Sequence, residues 1–307
     1  MRVGVVDIGT NSTRLLICDV LDNGSVIELD RRSEVTRLGE GVDVSRALNA
    51  APMERVFRTL EAYREALEAR HPGRTVAVMT SAVRDASNGE QFAEEIRRRF
   101  GVDAHILSGD EEAQLTFRGA MSERRDTGEE PGVVIDIGGG STELIIGHPG
   151  HMTFHVSLQI GVVRLGERHI HSDPPRSEEL QALAEDARGA ILAGVGQAER
   201  EEVAWGVAVA GTPTAAAAIE QHLDPYDPAR VHGFRLELAG CELLLARLAA
   251  MTNGERRQVV GLHPDRAPVI VPGLIILIEA MRAFGLEEIE VSEHDILRGA
   301  ALVAAGE

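Results

Sequence analysis

Apolar and polar positions change over in short runs through the first forty residues, which is the pattern of strands joined by tight turns. VGVVDIG (3–9) and STRLLICDV (12–20) read as β-strands, and Asp22-Asn23-Gly24 is a hairpin turn signal ahead of SVIELDRRSEV (25–35). The spacing then turns helical in ALNAAPMERVFRTLEAYREALEAR (47–70), which Pro72-Gly73 ends. TVAVMTSAVRD (75–85) reads as a buried strand running into a loop. NGEQFAEEIRRRFG (88–101) reads as an amphipathic helix whose Arg97–Arg99 form a solvated C-terminal end, where the helix dipole favours cations. DAHILSGDEEAQLTFRGAM (103–121) gives a strand, a turn at Ser108-Gly109 and a helix. SERRDTGEEPG (122–132) is polar, charged and rich in Gly and Pro, the pattern of a linker. A second round of strands follows, through HMTFHVSLQIGVVRLGERHI (151–170). The helix SEELQALAEDARGAILAGV (177–195) and the strand WGVAVAGT (205–212) come next, and helices dominate from there on.

One phrase occurs twice in this pattern. VVDIGTNSTRLLIC (5–18) and VIDIGGGSTELIIG (134–147) agree at eight of fourteen positions. Two halves with matching first elements imply a duplicated α/β architecture with a cleft between the copies. At 307 residues the chain is long enough for two domains, since single cores stop growing near ~250–300 residues.

Composition narrows the partners. Aromatic residues are only 3%, so Val, Ile, Leu and Ala must fill the core. All 31 basic residues are arginine, and the formal net charge is −18. So acidic a chain has no general affinity for nucleic acid or anionic membrane, and a polyanionic ligand would need a local pocket. Cys18 and Cys241 lie far apart and form no ligand spacing, so buried reduced thiols are expected. Asp7 interrupts the apolar N-terminus too early for a signal peptide, and VIVPGLIILIEAM (269–281) is shorter than a membrane span. A cytoplasmic protein is expected.

The repeated phrase also carries the chemistry. In DIGGGSTE, Gly138, Gly139 and Gly140 allow successive backbone N–H groups to point into one concavity, and Ser141 and Thr142 add hydroxyl donors for phosphate oxygens. A three-glycine run is equally a tight β-turn, but Asp136 before it and Glu143 after it would repel an anion unless a cation such as Mg2+ lay between. The first copy offers Thr10, Asn11 and Ser12, with Arg14 where the second has Glu143. Arg14 is then either an oxyanion clamp or a surface arginine.

Paired DxGxxS/T loops on β-hairpins resemble those of the actin, sugar kinase and Hsp70 superfamily. TSAVRDASN (80–88), ILSGDEEAQLTFRGA (106–120), DIGGGSTEL (136–144), IGVVRL (160–165), VAGTPTA (209–215) and VSEHDILRGA (291–300) fall in the order seen in the exopolyphosphatase and guanosine pentaphosphate phosphatase (Ppx/GppA) family. The resemblance covers nearly the whole chain, in the family's short two-domain form. It implies two ribonuclease H-like (actin-like ATPase) domains about an interdomain cleft, at 1–125 and 126–292, with a C-terminal helix near 293–307 packing back on the first.

The same resemblance implies hydrolysis of terminal phosphoanhydride bonds of inorganic polyphosphate or of guanosine pentaphosphate, with Mg2+ or Mn2+, by a homodimer. It assigns Glu112 as general base and Asp136, Glu143 and Asp7 to the metal, Glu143 also counting as catalytic. Phosphate contacts fall to both glycine loops, to Arg14, and to Arg84, whose alternative is a salt bridge to Asp85. Gly211 and Thr212, at a helix N-terminus begun by Pro213, complete the set with Arg266. The segment RAPVI (266–270) departs from the family's RADxI, which puts the local loop geometry in question. Two other readings remain: a guanosine tetra- or pentaphosphate-binding regulator with little turnover, and a sugar-kinase-like ATPase. No adenosine segment or acceptor-activating aspartate supports the ATPase, and a pure sensor has no need of Glu112.

Overall fold

In a computed structural model of the protein, which describes residues 1–124 and 130–306, contacts divide the chain into two units. One comprises Met1–Arg124 with His294–Glu307, the other Arg125–Glu293. Part of the expected linker, residues 125–129, lies outside the described residues, as do the expected domain limits at 125 and 126.

The first unit opens with β1 (Arg2–Ile8), β2 (Thr13–Val20) and β3 (Val26–Glu34), an antiparallel meander. The Asp22–Gly24 turn closes as expected, with Leu21 N donating to Ser25 O at 2.9 Å and Gly24 at φ 80°. The short helix α1 (Val42–Ser45) precedes α2 (Ala50–Arg70), which ends where His71 turns left-handed ahead of Pro72. Then come β4 (Arg74–Met79), α3 (Ser81–Arg84), α4 (Gly89–Phe100), β5 (Asp103–Ile106) and α5 (Gly109–Met121). β4 and β5 extend the sheet in parallel, giving the order β3-β2-β1-β4-β5. Residues 81–84, expected as loop, form a single helical turn, and Ser108, expected in a turn, caps α5. At the end of α4, Arg97, Arg98 and Arg99 pair with Glu90, Glu94 and Glu95 of the same helix, as a solvated helix end would.

The second unit repeats the plan. β6 (Gly132–Ile137), β7 (Thr142–His148) and β8 (His151–Leu158) form another antiparallel meander. They are followed by α6 (Val162–His169), α7 (Ser177–Gly194), α8 (Gln197–Glu201), β9 (Trp205–Val209), α9 (Gly211–Glu220), α10 (Pro228–Val231) and β10 (Arg235–Glu237). α11 (Leu238–Ala249), α12 (Asn253–Arg256), α13 (Ile270–Ala283) and β11 (Glu288–Val291) complete it. The sheet order is β10-β11-β9-β6-β7-β8, so β8-β7-β6-β9-β11 matches the first sheet strand for strand, with β10 added. The last helix, α14 (Ile296–Ala305), belongs to the first unit.

One expectation fails in the second unit. Strands were expected through 151–170, yet Val162–His169 is helical. Val-Val favours strands, but here the N–H groups of Val162 and Val163 donate to Gly138 O and Gly139 O, and Val162 and Leu165 bury one helical turn in the core. The C-terminal part also contains two short strands among its helices. β11 shows a two-residue period only over Glu288–Val291, too brief to stand out from the sequence.

Both sheets are packed on two faces. Along β1, Val6 and Ile8 face Phe57, Leu60 and Phe92 of α2 and α4, whereas Val3 and Val5 face Leu297 and Ala301 of α14. α14 crosses α5 at backbone contact: a Cβ on Gly119 would lie 1.9 Å from Asp295 O, and one on Gly299 1.8 Å from Leu115 O. In the second unit, α13 is almost wholly buried, and its apolar run faces other core residues. Among the described residues no helix is long and apolar enough to cross a membrane. Cys18 and Cys241 are buried free thiols, and burial pushes them up to about 11 and about 12.

Candidate active site

The β6–β7 hairpin of the second unit turns through Gly138–Ser141, closed by Gly138 N donating to Ser141 O at 3.0 Å. The loop's carbonyls are held from one side. Gly138 O accepts Val162 N at 3.0 Å, Gly139 O accepts Val163 N at 2.8 Å, and Gly140 O accepts Arg164 Nε at 2.8 Å. This approach of α6 requires glycine at 161, since a Cβ there would lie 2.4 Å from the Gly139 carbonyl. In a trans peptide the C=O and the following N–H point opposite ways. The N–H groups of Gly139, Gly140 and Ser141 are therefore all turned away from α6, on the side where they can donate to an anion, although none of the three glycines takes the left-handed backbone. The Thr142 hydroxyl, expected as a ligand donor, instead bonds Ile160 O at 2.5 Å and pins the loop.

Beside this loop Asp136 and Glu143 are cross-strand partners, 7% and 1% exposed. Like charges directly opposite on antiparallel strands repel, and burial raises the cost. Ser157 Oγ donates to Glu143 Oε1 at 2.7 Å. Two adjacent buried carboxylates give a hard, all-oxygen donor set, which fits Mg2+ or Mn2+.

The first unit builds the same turn at Gly9–Ser12, with Gly9 N donating to Ser12 O at 3.0 Å. Thr10 O and Asn11 O accept Gly39 N and Arg37 N, both at 2.8 Å, which turns the N–H groups of Asn11 and Ser12 the other way. The Thr10 hydroxyl lies 2.8 Å from Ser81 Oγ and accepts Ala82 N at 3.2 Å, tying the loop to α3. Asn11 Oδ1 is buried without a hydrogen-bond partner.

Electrostatically the copies differ. Asp7 and Arg14 stand where Asp136 and Glu143 stand in the second. Arg14 Nε and Nη2 hold Asp7 Oδ2 at 2.8 and 2.7 Å, and Nη1 bonds Asp295, the N-cap of α14. Arg14 is thus a part-buried guanidinium held between two buried carboxylates, not a free surface residue. Burial pushes Asp7 above the usual carboxylate range against the pull of Arg14. For Asp295 burial acts in the same sense, but Arg14 and the helix cap outweigh it and hold the group low. Asp7 Oδ1 is buried without a hydrogen-bond partner, but a divalent cation on it would lie against the Arg14 charge. Asp7 is therefore placed differently from Asp136, although the motif groups them.

Glu112 lies on the first turn of α5. Its neighbour Glu111 forms a capping box with Ser108, accepting Ser108 N at 2.8 Å, and that bond lowers its pKa. Glu112 is 7% exposed, and Arg84 Nη1 donates to its Oε2 at 2.7 Å and to Leu107 O at 3.0 Å. Arg84 Nε is 4.0 Å from Asp85, so Glu112 is the closer partner, and Arg84 Nη2 is buried without a hydrogen-bond partner. The two residues singled out separately as base and phosphate grip are in direct contact.

In the second unit the Arg266 guanidinium lies across the first turn of α9. A Cβ on Gly211 would fall 1.3 Å from its Nη1, so Arg266 reaches this helix end with Pro268 following it. Ala210 precedes the turn at φ 71° and ψ −168°, a region costly for any residue but glycine. Thr212 is buried against Gly273 of α13. Four participants were given no role from sequence: Gly161, Arg164 and Asp295, which lie within the motifs IGVVRL and VSEHDILRGA, and Ser157, which lies in none. Each acts through a strand register or helix position, and where a motif flags the residue it does not say what the residue touches.

The comparisons with known proteins agree with this architecture. The chain is 38% identical to exopolyphosphatase 2 of Mycobacterium tuberculosis, across 99% of each chain. It is 30% identical to exopolyphosphatase 1 of the same species, covering 98% of this chain and 88% of the relative. Among solved structures, an exopolyphosphatase-like protein superposes with a TM-score of 0.91 at 31% identity over 98% of this chain and 97% of the other. The Aquifex aeolicus member of the Ppx/GppA family superposes with a TM-score of 0.82 at 28% identity over 99% and 97%. A model of the Ppx/GppA phosphatase family matches residues 16–302. The chain belongs to the Ppx/GppA phosphatase family.

Proposed function

We propose that the protein is a Mg2+-dependent phosphoanhydride hydrolase that releases the terminal phosphate of inorganic polyphosphate, short chains above all, or of guanosine pentaphosphate. Full-length similarity to proteins named exopolyphosphatases supports the reaction class. The observation that carries the reading is the Gly138–Ser141 loop, whose carbonyls are held by α6 while three N–H groups face together beside Asp136 and Glu143.

In this reading the N–H groups of Gly139–Ser141 hold phosphoryl oxygens, and those of Asn11–Ser12 are the first unit's own anion contact. Arg266 and the first turn of α9 at Gly211 and Thr212 add positive potential where charge develops, whereas the charge of Arg14 is taken up by Asp7 and Asp295. Glu112, held at Oε2 by Arg84, orients a water and takes its proton as the water oxygen bonds to phosphorus. The bond from phosphorus to the bridging oxygen breaks, and its electron pair leaves with the shortened chain. Asp136 and Glu143 would hold the cation, which when bound neutralises charge on the phosphoryl oxygens.

The test is phosphate release by purified protein from short polyphosphate, long polyphosphate and guanosine pentaphosphate, with Mg2+ or with EDTA. Release that requires Mg2+ and is fastest on short chains is expected. Nucleotide binding without release from any substrate would contradict the proposal and point to a regulator.

A further inference from the structure

Across β6, β7 and β8 one register line carries Asp136, Glu143 and Ser157. The same line in the first unit, across β1, β2 and β3, carries Asp7, Arg14 and Ser33. The serine recurs, but its neighbour does not. In the second unit the Ser157 hydroxyl donates to Glu143 Oε1 at 2.7 Å, and Glu143 is 1% exposed. A glutamate has three side-chain torsions, and its terminal torsion is broad, so burial alone leaves the carboxylate plane poorly defined. The charge of Asp136 on one side pushes that carboxylate away, and the hydroxyl on the other side holds it.

We propose that Ser157 is a positioning residue for cation binding by Glu143: its hydrogen bond to Oε1 sets the orientation in which the carboxylate is offered beside Asp136. The inference rests on the cation assignment proposed above. Outer partners of metal-binding carboxylates act in this way, and losing one typically weakens metal affinity 10–100-fold. Ser33 is exposed and stands opposite Arg14 in register, so it has no carboxylate at that position to orient.

The experiment titrates Mn2+ into the full-length protein without substrate and follows free Mn2+ by electron paramagnetic resonance. Wild type should show a site that Glu143→Gln removes. Ser157→Ala should weaken that site about tenfold or more, Ser157→Thr should restore most of the affinity, and Ser33→Ala should leave it unchanged. In phosphate-release assays, Ser157→Ala should raise the Mg2+ concentration for half-maximal rate by the same factor, with kcat at saturating Mg2+ unchanged. Unaltered Mn2+ affinity in Ser157→Ala, where Glu143→Gln abolishes binding, would overturn the inference alone. Should Ser157→Ala fail to fold, a Ser157→Thr variant that folds but binds Mn2+ as weakly as Glu143→Gln would overturn it too. A wild type with no Glu143-dependent Mn2+ site would overturn the cation assignment and this inference with it.

Discussion

Arg14 and Glu143 occupy one register position in two copies of the same hairpin, and that exchange changes what each copy holds. Glu143 leaves two carboxylates side by side, whereas Arg14 neutralises Asp7 and also reaches Asp295. Removing the guanidinium strands two buried anions, so Arg14→Met should destabilise the protein by about 3–5 kcal/mol in denaturant unfolding. Adding Asp295→Asn to that variant should recover part of the loss, because one stranded charge disappears with it. A change below about 1 kcal/mol, the range of exposed pairs, would show that the two carboxylates are not buried as described. The motif disclosed that these positions matter, since the copies diverge there. It did not disclose the partner, because Asp295 lies on a helix near the far end of the chain. Arg84 and Glu112 teach the same lesson: both were legible as chemistry, and their hydrogen bond was not.

At the scale of elements, hairpins and glycine loops were the most legible features, because turn chemistry is local. The α6 segment was misread for the opposite reason. Its helix is selected by hydrogen bonds to a loop some twenty residues earlier, and nothing within Val162–His169 reports them. Gly161 is the hinge of that arrangement. A methyl group there must displace the Gly139–Gly140 backbone, an overpacking that costs about 1–3 kcal/mol. Gly161→Ala should therefore lower the melting temperature and raise KM for polyphosphate, since the N–H edge of the loop moves with its carbonyls. Thermal unfolding and steady-state kinetics check this. An unchanged KM would mean that the loop does not hold phosphate.

At the scale of the whole molecule, the duplication visible in the repeated phrase extends to five matching strands per sheet. The antiparallel meander and its parallel continuation recur, while helices and an added edge strand distinguish the second unit. Duplication supplies two similar hairpin loops; divergence at single positions makes one acidic and leaves the other paired with arginine. The net charge of −18 sharpens the point, because a polyanion gains nothing from the overall field and would need local donors to hold it. In the proposed mechanism hydrolysis depends on one residue more than any other, Glu112 at the start of α5. The most direct measurement is the rate of phosphate release from short-chain polyphosphate by wild type and Glu112→Gln at saturating Mg2+. The account predicts a fall in kcat of about 10²–10⁴-fold with the fold intact, the range for loss of a general base. A Glu112→Gln rate close to that of wild type would contradict it.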